Sequence, residues 1–213
     1  MYEILTDENI KNKVLEESNR IVKKIKSTLF SEYDLVTKTS FITEDAKNIV
    51  LKDKTTNLIE LDYNFLVLDS NFDNYLNVRL ALESSLVEVL GEDSFISLPA
   101  ILKTKEIKIQ DISFIINFGV LVFDEQYYSL ITSGKTTRHA FLFPIPNSGG
   151  YLEHLEQVRN FIDSEDKITN IYLKTKNGYK DDINCPYQSA FCYMHAVNLV
   201  ARDLVSKGKI KAY

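Results

Sequence analysis

Ile59-Glu60-Leu61-Asp62-Tyr63-Asn64-Phe65 is the stretch on which the fold turns. Apolar Ile59, Leu61, Tyr63 and Phe65 alternate with polar Glu60, Asp62 and Asn64. A period of two belongs to a β-strand, because successive side chains leave opposite faces of the pleat. The three polar side chains therefore share one face and the four apolar ones the other. Leu66-Val67-Leu68 continues the run with apolar residues on both faces, which predicts a central place in a sheet. Residues 49–51 predict a partner strand, joined through the polar turn Lys52-Asp53-Lys54-Thr55-Thr56-Asn57.

Working outward, Thr6-Asp7-Glu8-Asn9 opens a helix with capping residues and early acids. Ile10, Val14, Ile21, Val22, Ile25 and Leu29 recur at helical spacing, which predicts one long helix to about Leu29. Residues 33–40 read as a short strand. Residues 73–90 predict a second helix, with Leu76, Leu80, Val87 and Leu90 among its apolar positions and Gly91 as C-cap. Residues 95–102, 106–110 and 112–123 read as strands. In the last, Ile112, Phe114, Ile116, Phe118 and Val120 form an apolar face, and Asp111, Ser113 and Asn117 lie opposite. Residues 141–150, rich in Pro and Gly, read as a loop. Helices are expected at 151–162, 167–176 and 187–207. Phe191, Met194, Val197, Ala201 and Leu204 form a stripe on the last, with Pro186 just before its start. The expected class is α+β: a small mixed sheet flanked by helices, with a C-terminal helical region. The expected division is 1–143 for the α+β core and 144–213 for a helical lobe.

Composition narrows the function. The 213 residues and 45% hydrophobic content suffice for a sizeable core. A net charge of -5 and a pI near 5.3 argue against a surface that coats nucleic acid. Two cysteines, Cys185 and Cys192, are too few for a disulfide scaffold and are read as free thiols. His139, His154 and His195 lie far apart in sequence, which removes most histidine-rich metal sites. The acidic, polar start is not a signal peptide, and the apolar run at 114–123, interrupted by Asn117, falls short of the ~20 residues of a membrane span. A cytoplasmic protein without membrane contact is expected. Neither GxGxxG nor GxxxxGK[ST] is present, so dinucleotide and P-loop chemistry have no support.

Two carboxylates on one strand face, Glu60 and Asp62, sit about 6.6 Å apart at the backbone. Their oxygens can converge on a pair of divalent ions about 3.5–4 Å apart, and Mg²⁺ suits such hard ligands. The plain alternative is a strand whose polar face meets solvent.

The surrounding residues resemble the nucleotidyltransferase superfamily in its polymerase β-like form. Lys38-Thr39-Ser40 stands where that family has a G-S loop, Glu60-Leu61-Asp62 where it has D-x-D, and Ile115-Ile116-Asn117-Phe118 where a later strand brings a third acid. Tyr172-Leu173-Lys174-Thr175-Lys176-Asn177, followed by Ala196-Val197-Asn198, is similar to the helical tail of small bacterial nucleotidyltransferase-like proteins. The resemblance runs from about Tyr33 to Val205. It implies Glu60 and Asp62 as metal ligands for Mg²⁺ or Mn²⁺ and a nucleoside triphosphate as substrate. It also implies Lys38 and Ser40 at the triphosphate, and Lys174 and Lys176 as cations from the lobe. The departures are Thr39 for the loop glycine, Glu60 for the first Asp, and Asn117 for the third acid, with no G-T pair after Ser40. Asn117 carries no charge and takes up no proton. Asp111, on the same strand face, lies about 20 Å from it by strand rise.

Two functions follow from the resemblance: Mg²⁺-dependent transfer of a nucleoside monophosphate to a hydroxyl, or a catalytically impaired relative that binds a nucleotide or a protein partner. A phage-defence or toxin–antitoxin system is one setting for the second; an α+β scaffold that binds no nucleotide is the blander alternative. Lys47 is a further candidate cation. His195 with Asn198 could line a pocket or serve structure, and Tyr127, Tyr128 and Tyr187 could stack on a base or pack the core.

Overall fold

The computed structural model describes residues 1–41, 49–68, 75–123, 128–133, 140–145, 151–179 and 189–211. Its strands are β1 (Tyr2–Ile4), β2 (Thr37–Phe41), β3 (Leu51–Asp53), β4 (Ile59–Val67), β5 (Phe95–Ser97), β6 (Leu102–Thr104), β7 (Ile107–Ile109), β8 (Ile112–Phe123), β9 (Tyr128–Ser133) and β10 (Ala140–Pro144). Its helices are α1 (Glu8–Tyr33), α2 (Tyr75–Leu90), α3 (Tyr151–Arg159), α4 (Ser164–Gly178) and α5 (Ser189–Ser206). The fold is α+β. All ten strands join one mixed sheet whose path runs β1-β3-β4-β8-β6-β5. β4 is central: β3 and β2 pair successive parts of one edge, antiparallel, and β8 pairs the other edge, parallel.

Helices cover both faces of this sheet. The apolar side chains of β4, Ile59, Leu61, Tyr63, Phe65 and Val67, pack with Phe114, Ile116, Phe118 and Val120 of β8 against α1 and α2. Phe65 and Phe118 tilt together at 5.8 Å, and the Tyr63 hydroxyl ties the sheet to α1 through Ser18 at 2.8 Å and Asn19 at 2.9 Å. Leu51, Leu121 and Leu130 belong to a second core with α3, α4 and α5. The polar face of β4 therefore lies beneath α4 and α5.

α1 begins where the sequence predicts. Asp7 caps it, accepting from the N–H groups of Asn9 and Ile10 at 3.0 and 3.1 Å. It runs one turn beyond Leu29 to Tyr33, so the strand expected at residues 33–40 shortens to β2. Asp34, left-handed at φ 53, ends the helix while Leu35 N–H reaches the Leu29 carbonyl at 3.0 Å. α2 ends at Gly91, with φ 95, as expected. Its buried side carries Val78, Ala81, Leu82 and Leu86, whereas Leu80 and Val87 are exposed. The helix is apolar around most of its girth, so spacing alone did not identify the buried side.

The strand expected at residues 95–102 is a hairpin, β5 paired antiparallel with β6. Pro99 has no N–H to give a ladder, and the chain turns there. The buried Arg79 guanidinium holds the turn, donating to the carbonyls of Leu98 and Pro99 and to the Ser97 hydroxyl. Residues 141–144, read as loop, belong to β10. Among the described residues this strand pairs only with β9, and an edge accepts Pro144 at its last position.

Candidate functional site

The parallel register of β4 and β8 sets Asp62 beside Asn117 and Asn64 beside Gly119. Both pairs face α4 and α5. Asn117 Nδ2 donates to Asp62 Oδ1 at 2.9 Å. Lys176, on α4, brings its ammonium to 3.1 Å from Glu60 Oε1 and 3.2 Å from Asp62 Oδ2. It also donates to Ser189 Oγ at 2.6 Å, and Ser189, the first residue of α5, donates to Asp62 Oδ2 at 2.5 Å. From the other side, the Tyr2 hydroxyl donates to Glu60 Oε2 at 2.8 Å. The Lys176 ammonium lies 5.9 Å from the centre of the Tyr2 ring. Asn177 fixes β1 here: its side chain accepts from Tyr2 N–H at 2.6 Å and donates to the Tyr2 carbonyl at 3.2 Å.

This cluster is buried. Glu60, Asp62 and Asn117 are 6%, 8% and 4% exposed, so each unpaired charge would be costly. Burial alone would lower the affinity of Lys176 for its proton; Asp62 and Glu60 outweigh it and hold the ammonium well above the usual lysine range. Burial, then the Glu60 charge, pushes the Tyr2 phenol well up, so it stays a donor. Burial also raises Tyr172, one turn before Lys176. Two buried amide atoms have no partner among the described residues: Asn117 Oδ1 and Asn64 Nδ2. Gly119 leaves room here: a Cβ on it would run into Asn64 Oδ1 and force that side chain to shift.

The structure thus brings Glu60, Asp62, Asn117 and Lys176 together, and adds Tyr2 and Ser189. Nothing in the sequence pattern marked those two: Tyr2 arrives through the pairing of β1 with β3, and Ser189 through the packing of α5. Lys38 is exposed on β2, opposite Leu66, and Ser40 stands in register with Asn64. Lys174 is exposed on α4, two residues and thus just over half a turn away from Lys176. Asp111 is exposed in the turn before β8, apart from the cluster. His195 stacks on Phe191 at 5.6 Å, and Asn198 bonds His154 of α3 at 2.8 Å. Tyr128 packs against Phe123 and Tyr151, and Cys192 is buried in the helical core. Lys47, Tyr127, His139, Cys185 and Tyr187 lie outside the described residues.

The divalent ion implied by the fold finds a poor donor set. Among the described residues no group of three or more His, Cys, Asp or Glu side chains converges. Each oxygen of Glu60 and Asp62 already faces a protein donor. A lysine ammonium bridges the pair. As arranged, the residues fit one internal cation, not that cation plus a divalent ion. No helix among the described residues is long and apolar enough to cross a membrane.

No protein-family model and no curated protein matches the chain. Solved structures do. CdnC of E. coli MS115-1, with ATP, superposes at a TM-score of 0.51 and 9% identity, covering 95% of this chain and 63% of that one. The STING-associated CdnE c-di-GMP synthase of Capnocytophaga granulosa gives 0.50 and 12%, covering 95% and 64%. The CD-NTase CdnG of Bradyrhizobium diazoefficiens, with GTP, gives 0.48 and 12%, covering 73% and 43%. This chain therefore spans less than two thirds of each of them. The likeness is one of fold.

Proposed function

We propose that this protein binds a nucleoside triphosphate along β2, beside the buried polar face of β4, and does not pass its nucleotidyl group on. One observation carries the second half: Asn117 lies beside Asp62 and donates to it through its amide at 2.9 Å. Transfer to a hydroxyl requires a group that takes up the hydroxyl proton, and an amide does not. In the first half, the support is the fold shared with CdnC, whose structure holds ATP, and the placement of Lys38 and Ser40 on the strand beside β4. A phosphate chain lying along β2 would pass both residues, with exposed Lys174 as a further cation on the helical side. On this reading residues 1–143 form the nucleotide-binding core and 144–213 the lobe that closes its polar face. The output is then regulatory, through a protein partner that reads the nucleotide state.

Calorimetry with ATP and with GTP, each with and without Mg²⁺, tests it. Binding that persists without Mg²⁺ and weakens in Lys38→Ala is expected. Parallel incubation with α-labelled nucleotide should show no transfer. Absence of binding by either nucleotide would sink the reading. Mg²⁺-dependent consumption of label would instead favour an active transferase, for which the retention of Glu60 and Asp62 on one face speaks.

A further inference from the structure

We infer that Lys176 is a built-in cation standing at the metal position of the acid pair, and that Glu60 and Asp62 take no divalent ion while it is there. The inference concerns the resting protein and stands whether or not a nucleotide binds.

Charge balance comes first. Two buried carboxylates facing one ammonium leave a cluster of one net negative charge, the rest of its polar contacts coming from Tyr2, Asn117 and Ser189. A third acid at position 117 would leave two negative charges in a buried site, which calls for a divalent ion. Asn117 and Lys176 thus complement each other: one removes the charge that demands a metal, and the other satisfies the remainder. Geometry comes second. A divalent ion needs oxygens at about 2.0–2.6 Å. An ion placed between Glu60 and Asp62 would lie on top of an ammonium already 3.1 and 3.2 Å from their oxygens. The ammonium is not a loose surface group. Ser189 accepts from it at 2.6 Å, the Tyr2 ring faces it, and its side chain is 12% exposed. Third, a latent oxygen ligand is present: buried Asn117 Oδ1 has no hydrogen-bond partner among the described residues. With the lysine charge removed, Glu60, Asp62 and Asn117 Oδ1 offer three hard oxygens on one face.

The test is a titration with Mn²⁺ alone, in which free Mn²⁺ is read by electron paramagnetic resonance. Wild type and Lys176→Arg should show no saturable site. Lys176→Gln should take up one Mn²⁺ per chain, and adding Asp62→Asn to that variant should abolish the uptake. Circular dichroism establishes that each variant is folded. Saturable uptake by the wild type that Asp62→Asn removes would overturn the inference. So would a folded Lys176→Gln protein that takes up none. Should Lys176→Gln not fold, the wild type decides the matter alone: uptake lost in Asp62→Asn refutes, and no uptake supports. Nucleotide calorimetry reads a different quantity, so failure here leaves the nucleotide reading to its own experiment.

Discussion

Replacing Lys176 by methionine keeps most of the side-chain volume and removes the charge that holds two buried acids together. At 3.1 and 3.2 Å the attraction is about 5 kcal/mol to each carboxylate, taking an effective dielectric of about 20. Much of that is offset by the several kcal/mol needed to take each charged group out of water. The expected deficit at pH 7 is ~3–5 kcal/mol, the cost of removing one partner of a buried pair. Urea unfolding of both proteins at pH 7, followed by circular dichroism, measures it. A deficit below about 1 kcal/mol would refute the view that Lys176 neutralises the pair.

Gly119→Ala should cost about 1–3 kcal/mol, because its new methyl meets Asn64 Oδ1, and adding Asn64→Ala should recover part of the loss. Urea unfolding of the single and double variants checks the coupling. Arg79→Met strips the turn carbonyls of Leu98 and Pro99 of their donor and should destabilise by about 2–3 kcal/mol. Asp7→Ala removes the N-cap of α1, and a loss of about 1 kcal/mol in the same assay is expected. The Lys176 proton is held more tightly in the folded protein than in the unfolded chain. The stability it contributes should be intact at neutral pH and decline only above the ordinary lysine value of about 10.4. Alkaline thermal melts of wild type against Lys176→Arg check this.

Much of the fold was legible from residues 59 to 65. A strict alternation of apolar and polar side chains admits only a strand with two unlike faces, and a strand apolar at its far end belongs inside a sheet. The capping signal at Asp7 and the helical spacing from Val14 to Leu29 were equally local, and the structure keeps them. Local pattern fails where several neighbours decide. Spacing alone did not reveal that α2 buries Val78 and Leu82 rather than Leu80 and Val87, nor that Pro99 splits one expected strand into a hairpin.

For the site the division is sharper. From the sequence came Glu60 and Asp62 on one face, Asn117 as the odd member, and Lys176 as one of several candidate cations. Which cation, and what it does, depended on the packing of α4 over the sheet. Lys174 and Lys176 are two residues apart, and helix geometry turns only one of them inward. Tyr2 and Ser189, 58 and 127 residues from their acid partners, carry no local signal at all. Alternation fixes the face on which a side chain stands, because it follows from one strand's own geometry. What stands opposite, and hence whether two acids meet solvent, a metal or a lysine, follows from contacts between distant segments, and only the tertiary structure decided that.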